Sequence, residues 1–207
     1  MTKDIKYTFL MQNDHYSPTR AMIAALLTGK RAKINWPYGC SYEDFTNVPW
    51  IQDLDDSKIG GKVREGLSRL DAGESLDIPS DISYNSFELS HELSEKSFLC
   101  VVVQDDKQEV LGAGLAECMI NHLPFILVAD TGALKTLHGQ GYKTFSCWWP
   151  EEYGHVHDPL TRMEMLFDII REINTWTLDR QSQILEEMAD VLEHNHKNIT
   201  QKVNHNE

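Results

Sequence analysis

Polar residues that could do chemistry follow two apolar runs of strand length. Asp130–Gly132 comes directly after the run Phe125–Ala129, and Asn13–His15 comes shortly after Lys6–Met11. Parallel strands end at a common edge of their sheet, and ligands of such sheets bind beyond that edge. Carboxylates and imidazoles there can act as general bases, and turn amides can bind phosphate oxygens. The sequence therefore predicts a binding edge formed by these two turns.

Three charged side chains could contribute to such a site, and each has a less specific alternative. Arg20 lies one turn into a helix predicted from Pro18 to Leu27, where a planar guanidinium can bind a diphosphate at two points. A surface ion pair is the alternative for Arg20 and equally for Lys143. Glu117 precedes a buried strand and could bind the two hydroxyls of a ribose, or it could be a solvated helix residue.

Strand-like and helix-like segments alternate along the chain, which is typical of a parallel sheet with crossover helices. We expect an α/β, Rossmann-like, mostly parallel sheet flanked by helices, with two C-terminal helices. Residues 1–207 should form a single domain, in which 29–97 are an irregular insert or a partial second lobe, 98–193 the ligand-binding half and 194–207 a flexible tail. The predicted strands are Lys6–Met11, Ser97–Val103, Phe125–Ala129 and Tyr142–Phe145, and the predicted helices are Pro18–Leu27, Lys62–Leu70, Leu111–His122, a short helix holding Leu134 and Leu137, a helix beginning at Asp158-Pro159, and Leu178–Leu192.

The charge balance and the lack of long apolar runs restrict the partners. The 207 residues include 19 Lys and Arg against 32 Asp and Glu, a net charge of -13, and no basic run is present. Extended contact with duplex nucleic acid is therefore not expected, because it depends on clustered cations. No apolar run approaches the ~20 residues that cross a bilayer, and the first residues lack the apolar core of a signal peptide. These features predict a cytoplasmic protein without membrane contact.

The histidines and cysteines do not form a metal-binding pattern. His155-Val-His157 and His194-Asn-His196 alternate, but neither pair has a companion Cys or a helical partner His at the spacing that metal sites use. Cys100 and Cys118 lie in apolar segments and are expected to be buried free thiols. No metal site is predicted.

A series of short motifs runs through residues 124–160 and continues near the C-terminus. In chain order they are Pro124-Phe-Ile-Leu, Gly132-Ala-Leu-Lys-Thr-Leu, Gly141-Tyr-Lys-Thr-Phe, Glu152-Tyr153, Asp158-Pro159 and Leu192-Glu-His194-Asn195. The series resembles a family of bacteriophage and large-virus proteins that are similar to glycosyltransferases of the GT-B kind. This resemblance implies that the sheet edge is the donor site for a nucleoside-diphosphate sugar, with no tightly bound cofactor.

The resemblance also implies roles for individual residues. Glu117 would bind the donor ribose, and Arg20 would lie near the diphosphate. The sugar would pass to a hydroxyl acceptor, with Asp14, His15 or Asp130 as unranked candidates for the general base. Further contacts with the nucleotide sugar are expected from Asn13, Thr131, Gly132 and Lys143.

Two departures from the family pattern support a second hypothesis. Cys118 stands where the family has a lysine. The position of the family's glutamate is taken by Gln104, or by Asp105 with a shifted register. A cation that would neutralise phosphate is therefore missing. The alternative is a catalytically inactive accessory protein on the same scaffold, which binds a nucleotide-like ligand or, through its acidic surface, a host protein in the host cytoplasm. Whether the chain is an enzyme stays open between these two readings.

Overall fold

The computed structural model describes residues 3–11, 17–34, 53–54, 56–71, 91–104 and 111–204. The strands are β1 (Tyr7–Met11), β2 (Ala32–Ile34), β3 (Ser97–Val103) and β4 (Phe125–Val128). The helices are α1 (Pro18–Leu27), α2 (Gly60–Asp71), α3 (His91–Glu95), α4 (Ala113–Ile120), α5 (Ala133–Gly139), a 3-10 helix (Glu152–His155), α6 (Pro159–Ile173), α7 (Leu178–Glu187) and α8 (Ala189–Asn204). Within the described residues the strands form one sheet of order β2-β1-β3-β4, in which every pair is parallel. The predicted α/β, Rossmann-like fold is confirmed.

The order in which strands are added to the sheet reverses between β1 and β3, although all strands stay parallel. The chain leaves β1 for β2 on one side of the sheet and returns through β3 on the other side. β3 is buried along its whole length, as its β-branched run predicts for a central strand. Its last residue, Val103, pairs with Val128 of β4. The carboxyl ends of β1, β3 and β4 therefore lie side by side, and the crevice between β1 and β3 is the usual ligand position in such a fold.

Helix α1 begins where the sequence predicts and is buried on almost every side. Ser17 caps it by accepting a hydrogen bond from the Arg20 amide at 3.1 Å, and Pro18 occupies its first position. The residues of the predicted apolar stripe are all buried, namely Met22, Ile23, Leu26 and Leu27. Helix α2 packs on α1 and buries its own predicted apolar positions, Val63, Leu67 and Leu70. The described part of 29–97 thus contributes β2, α2 and α3 to the same hydrophobic core as the rest of the chain.

The predicted strand Tyr142–Phe145 is wrong, because its backbone finds partners outside the sheet. The Tyr142 amide donates to Leu137 O at 3.0 Å. The side chain of Asn195 accepts from the Lys143 amide and donates to the Lys143 carbonyl, both at 2.8 Å. The Phe145 amide donates to Glu151 at 2.9 Å. Pairing with β4 is not needed to satisfy this segment, and it is not observed.

The C-terminal helices also differ from prediction. The expected helix Leu178–Leu192 divides at Met188 into α7 and α8, while α6 begins at Pro159 behind the cap Asp158, as predicted. Residues 194–204, which the sequence analysis expects in a flexible tail, lie in α8, which continues to Asn204. Its polar side chains bond to backbone carbonyls: His194 to Gly141 O at 2.8 Å and His196 to Ile120 O at 2.9 Å. Residues 205–207 lie outside the described residues.

A chain of hydrogen bonds joins the end of α5 to the loop that follows it. The Thr144 hydroxyl donates to Glu151 Oε2 at 2.6 Å, and His138 Nε2 lies 2.8 Å from the same hydroxyl oxygen. Burial raises the pKa of Glu151, although the hydrogen bonds from Thr144 and Phe145 act in the opposite direction. The folded protein therefore binds the Glu151 proton more tightly than the unfolded chain does.

Glu151→Gln should change the pH dependence of stability in a defined direction. In the wild type, the contribution of Glu151 to the free energy of unfolding is fully present at pH values below its pKa in the unfolded chain, about 4.3. This contribution is lost as the pH rises through the higher pKa that Glu151 has in the folded protein. Glutamine removes that loss, so the variant should gain in unfolding free energy relative to the wild type as the pH rises from about 4 to 7. Urea unfolding at several pH values measures the difference. Glu172→Gln, an exposed glutamate on α6, is the control, and a difference independent of pH would contradict the expectation.

Candidate functional site

Arg20 joins the start of α1 to the carboxyl end of β3. It lies in the first turn of α1 and is only 7% exposed. Its Nη2 donates to the carbonyl oxygen of Val103, the last residue of β3, at 2.6 Å. A guanidinium is therefore buried at the crevice between β1 and β3, where the sequence predicts a ligand-binding cation.

Helix α4 starts beside the same strand end. Gln104 directly follows β3, and its amide continues the ladder by donating to Val128 O at 2.8 Å. Gly112 is the N-cap of α4, and a Cβ there would clash with the side-chain amide of Gln104. A Cβ on Gly114 would lie 3.9 Å from Val102 Cγ1. The N-termini of α1 and α4, the positive ends of their dipoles, thus both lie at the carboxyl edge near Arg20.

The turn Asp130–Gly132 lies beyond β4 as predicted, but part of its hydrogen-bonding capacity is already used. Gly132 adopts a left-handed conformation with φ of 90°, which favours glycine, and its amide donates to Gly154 O at 3.0 Å. That amide is therefore directed at the protein rather than at a phosphate. The Asp130 side chain is exposed, and Thr131 Oγ1 lies 3.4 Å from His157 Nδ1. Asp130, Thr131 and His157 form a polar group at this edge.

Arg162 is a residue of this edge that the sequence interpretation missed. Its Nη1 donates to Ala129 O at 2.8 Å, and its Nε donates to Val156 O at 3.1 Å. It holds the turn after β4 against the loop before α6, much as Arg20 holds α1 against β3. A signal was present in the sequence, because both arginines lie in the first turn of a helix that opens with a capping residue and a proline.

Lys143 is not brought to the carboxyl edge. Helix α5 leads away from that edge, and two residues after Lys143 the ring of Phe145 packs edge-on against Phe125, 5.0 Å between centroids. Phe125 is the first residue of β4, so Lys143 lies towards the opposite, amino edge. The prediction missed this because seven helical residues advance the chain by about 10 Å.

Glu117 lies on the second turn of α4 and is half-buried. At about 1.5 Å per residue it is set back roughly 7 Å along the helix axis from Gly112. Its role towards a ribose stays a prediction. Asn13, Asp14 and His15 lie outside the described residues.

Cys118, on the second turn of α4, is a neutral thiol. A hydrogen bond with Cys100 and complete burial raise the pKa of Cys118. Both thiols are free and buried, as predicted. Cys118 thus points into the core against β3 and supplies no positive charge to the edge.

Across the described ranges, no three His, Cys, Asp or Glu side chains are grouped in a way that could hold a metal ion. None of the described helices combines the length and the apolar composition that a bilayer crossing requires.

The carboxyl edge can therefore offer an anion a buried guanidinium, two helix N-termini and an exposed carboxylate with a neighbouring imidazole. These groups suit the binding of a phosphorylated molecule and the removal of a hydroxyl proton. No protein-family model, no curated protein and no solved structure matches this chain.

Proposed function

We propose that this chain binds a ligand of the nucleotide class at the carboxyl edge between β1 and β3, with a nucleoside-diphosphate sugar as the candidate. The observation that supports this most directly is the buried guanidinium of Arg20 beside the starts of α1 and α4. A nucleotide placed in this crevice would set its phosphates against all three positive groups.

The electrostatics of this arrangement favour an anionic ligand. The first turn of a helix is where the macrodipole disfavours a cation, and a buried charge adds a desolvation cost. Arg20 nevertheless occupies such a position in a chain whose net charge is -13. A phosphate at the crevice would accept charge-assisted hydrogen bonds from the guanidinium and would be attracted by both helix dipoles.

Sugar transfer to a hydroxyl acceptor is the reaction that the proposal includes. The bond between the sugar and the diphosphate would break, the acceptor oxygen would form the new bond, and the acceptor proton would pass to a base. Among the described residues Asp130 is the exposed carboxylate placed for that role, with His157 next to Thr131 as a neighbouring acceptor of protons. Arg20 would stabilise the charge on the departing diphosphate.

The alternative, an accessory protein that binds without transfer, is favoured by two observations. Cys118 is a buried neutral thiol where a lysine would neutralise phosphate. The Gly132 amide is bonded to Gly154 instead of being available to a leaving group. The two functions differ in turnover. An enzyme would release nucleoside diphosphate from a nucleoside-diphosphate sugar, whereas an accessory protein would bind the donor without releasing it.

Titration with nucleotide sugars, nucleoside diphosphates and inorganic pyrophosphate tests the binding site. Arg20→Lys keeps the charge but loses the planar donor pair, so affinity for nucleoside diphosphates should fall about tenfold. Glu117→Gln should weaken nucleotide binding but leave pyrophosphate binding unchanged, because pyrophosphate has no ribose. Lys135→Gln, an exposed change on α5, is the control.

Calorimetry gives the affinities, and circular dichroism checks that each variant is folded. If no nucleotide binds to the wild type, the proposal is wrong in both its forms. If Arg20→Lys fails to fold, Glu117→Gln still decides whether the ribose is recognised at this edge.

A further inference from the structure

A small pocket lies at the other end of α1, between that helix and α2. Its volume is about 210 Å³. This is less than the roughly 300–1,000 Å³ of sites for drug-sized ligands, so it suits a small ion better than a nucleotide. The residues that line it are Ala25, Leu26, Thr28, Gly29, Lys62, Glu65 and Arg69.

Among the residues that the structure describes, cations outnumber carboxylates around this pocket. Lys62 Nζ lies 3.3 Å from Glu65 Oε2, and Arg69 Nη2 lies 2.7 Å from Glu65 Oε1. Lys30 is a third cation close to this group: burial lowers its pKa first, and the charges of Lys62 and Arg69 lower it further. Glu65 thus pairs with two cations, Lys62 and Arg69, in a chain that is strongly acidic overall.

Gly29 allows Arg69 to reach the pocket. It has a φ of 69°, and a Cβ there would lie 2.6 Å from Arg69 Nη1. Glycine is therefore favoured by its left-handed conformation and also by the guanidinium that lies over it. The turn after α1 places this guanidinium at the mouth of the pocket.

We propose that the pocket lined by Lys62, Arg69 and Glu65, with Lys30 beside it, binds a small divalent oxyanion such as inorganic phosphate or a phosphomonoester. A doubly charged oxyanion would balance the excess of cations and accept charge-assisted hydrogen bonds from the ammonium and guanidinium groups. Glu65 accepts hydrogen bonds from the same donors and therefore competes with a bound anion, so the anion can dissociate and be replaced. The inference does not depend on the nucleotide proposal, because Arg20 and this pocket lie at opposite ends of α1.

Phosphate titration of the ¹⁵N-labelled full chain, at constant ionic strength set with sodium chloride, locates the binding. Saturable shifts of the Gly29 amide are expected, since Gly29 lines the pocket. Shifts confined to Gly112 and Gly132 would place phosphate at the carboxyl edge, which would support the nucleotide proposal and overturn this one. An equal response of Gly29 to chloride alone would also overturn it.

Variants of the lining residues make the test specific. Lys62→Gln and Arg69→Gln should each weaken phosphate binding at Gly29 about tenfold, whereas Glu65→Gln should tighten it, because the competing carboxylate is lost. Lys135→Gln on α5 is the charge-matched control and should change nothing. Lys62 is 63% exposed, so its variant should fold even if the Arg69 variant does not. Unchanged affinity in Lys62→Gln, or weaker binding in Glu65→Gln, would overturn the proposal.

Discussion

Replacing Gly66 with alanine is expected to destabilise the protein by about 3 kcal/mol or more. Gly66 lies on α2 where that helix crosses α1. A Cβ at Gly66 would lie 2.6 Å from the carbonyl carbon of Ala25 and 2.7 Å from its Cα, and closer still to its carbonyl oxygen. These are backbone atoms of a buried helix, so they cannot move aside as a flexible side chain does. The two helices would have to separate.

Gly61 offers a matched control in the same helix. A Cβ there meets no atom within 4 Å, so Gly61→Ala should be neutral or stabilising by about 0.5 kcal/mol through helix propensity alone. Urea unfolding followed by circular dichroism measures both variants. If the two substitutions had the same effect, the close approach of α1 and α2 would not limit stability.

The contact at Gly66 matters for function because α1 connects both candidate sites. Arg20 lies in its first turn at the carboxyl edge, and Gly29 follows its last turn at the pocket between α1 and α2. A helix displaced by Gly66→Ala would carry Arg20 away from Val103. The variant should therefore lose nucleotide binding together with stability, whereas Gly61→Ala should keep both.

Local sequence patterns were sufficient to predict the fold class and which strand ends form the carboxyl edge of the sheet. The β-branched run Ser97–Val103 predicted a central strand, and Ser17-Pro18 predicted the start of α1. Parallel strands share an edge, so the closeness of the carboxyl ends of β3 and β4 followed from the fold class alone. What the patterns could not supply was the bond from Arg20 to a backbone carbonyl, since it joins residues 83 positions apart.

Two departures from the sequence-based expectations have a common physical cause, which is long-range bonding between side chains and backbone. Tyr142–Phe145 has a strand-like sequence, but Asn195 and Glu151 satisfy its amides. The polar composition after residue 194 suggested a free tail, yet His194 and His196 use their polarity to bond carbonyls. Propensity and periodicity describe neighbours in sequence and do not report such partners.

Asn195→Ala is expected to cost about 2–4 kcal/mol, because it leaves two backbone groups of Lys143 without partners. Asn195 is 1% exposed and meets the Lys143 amide and carbonyl with its own carbonyl and amide, both at 2.8 Å. The Asn195 side chain thus makes the two backbone hydrogen bonds to Lys143 that a neighbouring strand would otherwise make. Asn198→Ala is the control: that side chain makes one exposed hydrogen bond, to Gly141 O at 2.7 Å, and its loss should cost less than about 1 kcal/mol.

Asn195→Asp distinguishes the two-point bond from simple packing. The aspartate has nearly the same shape and can accept from the Lys143 amide, but its ionised form cannot donate to the Lys143 carbonyl and brings a charge into a buried position. At neutral pH it should be at least as unstable as the alanine variant. At acid pH the protonated carboxyl can donate a hydrogen bond to the Lys143 carbonyl again. The free energy of unfolding of the aspartate variant should therefore increase relative to that of the alanine variant as the pH falls. Equal pH profiles for the two variants would mean that Asn195 fills space and does not hold the chain at Lys143.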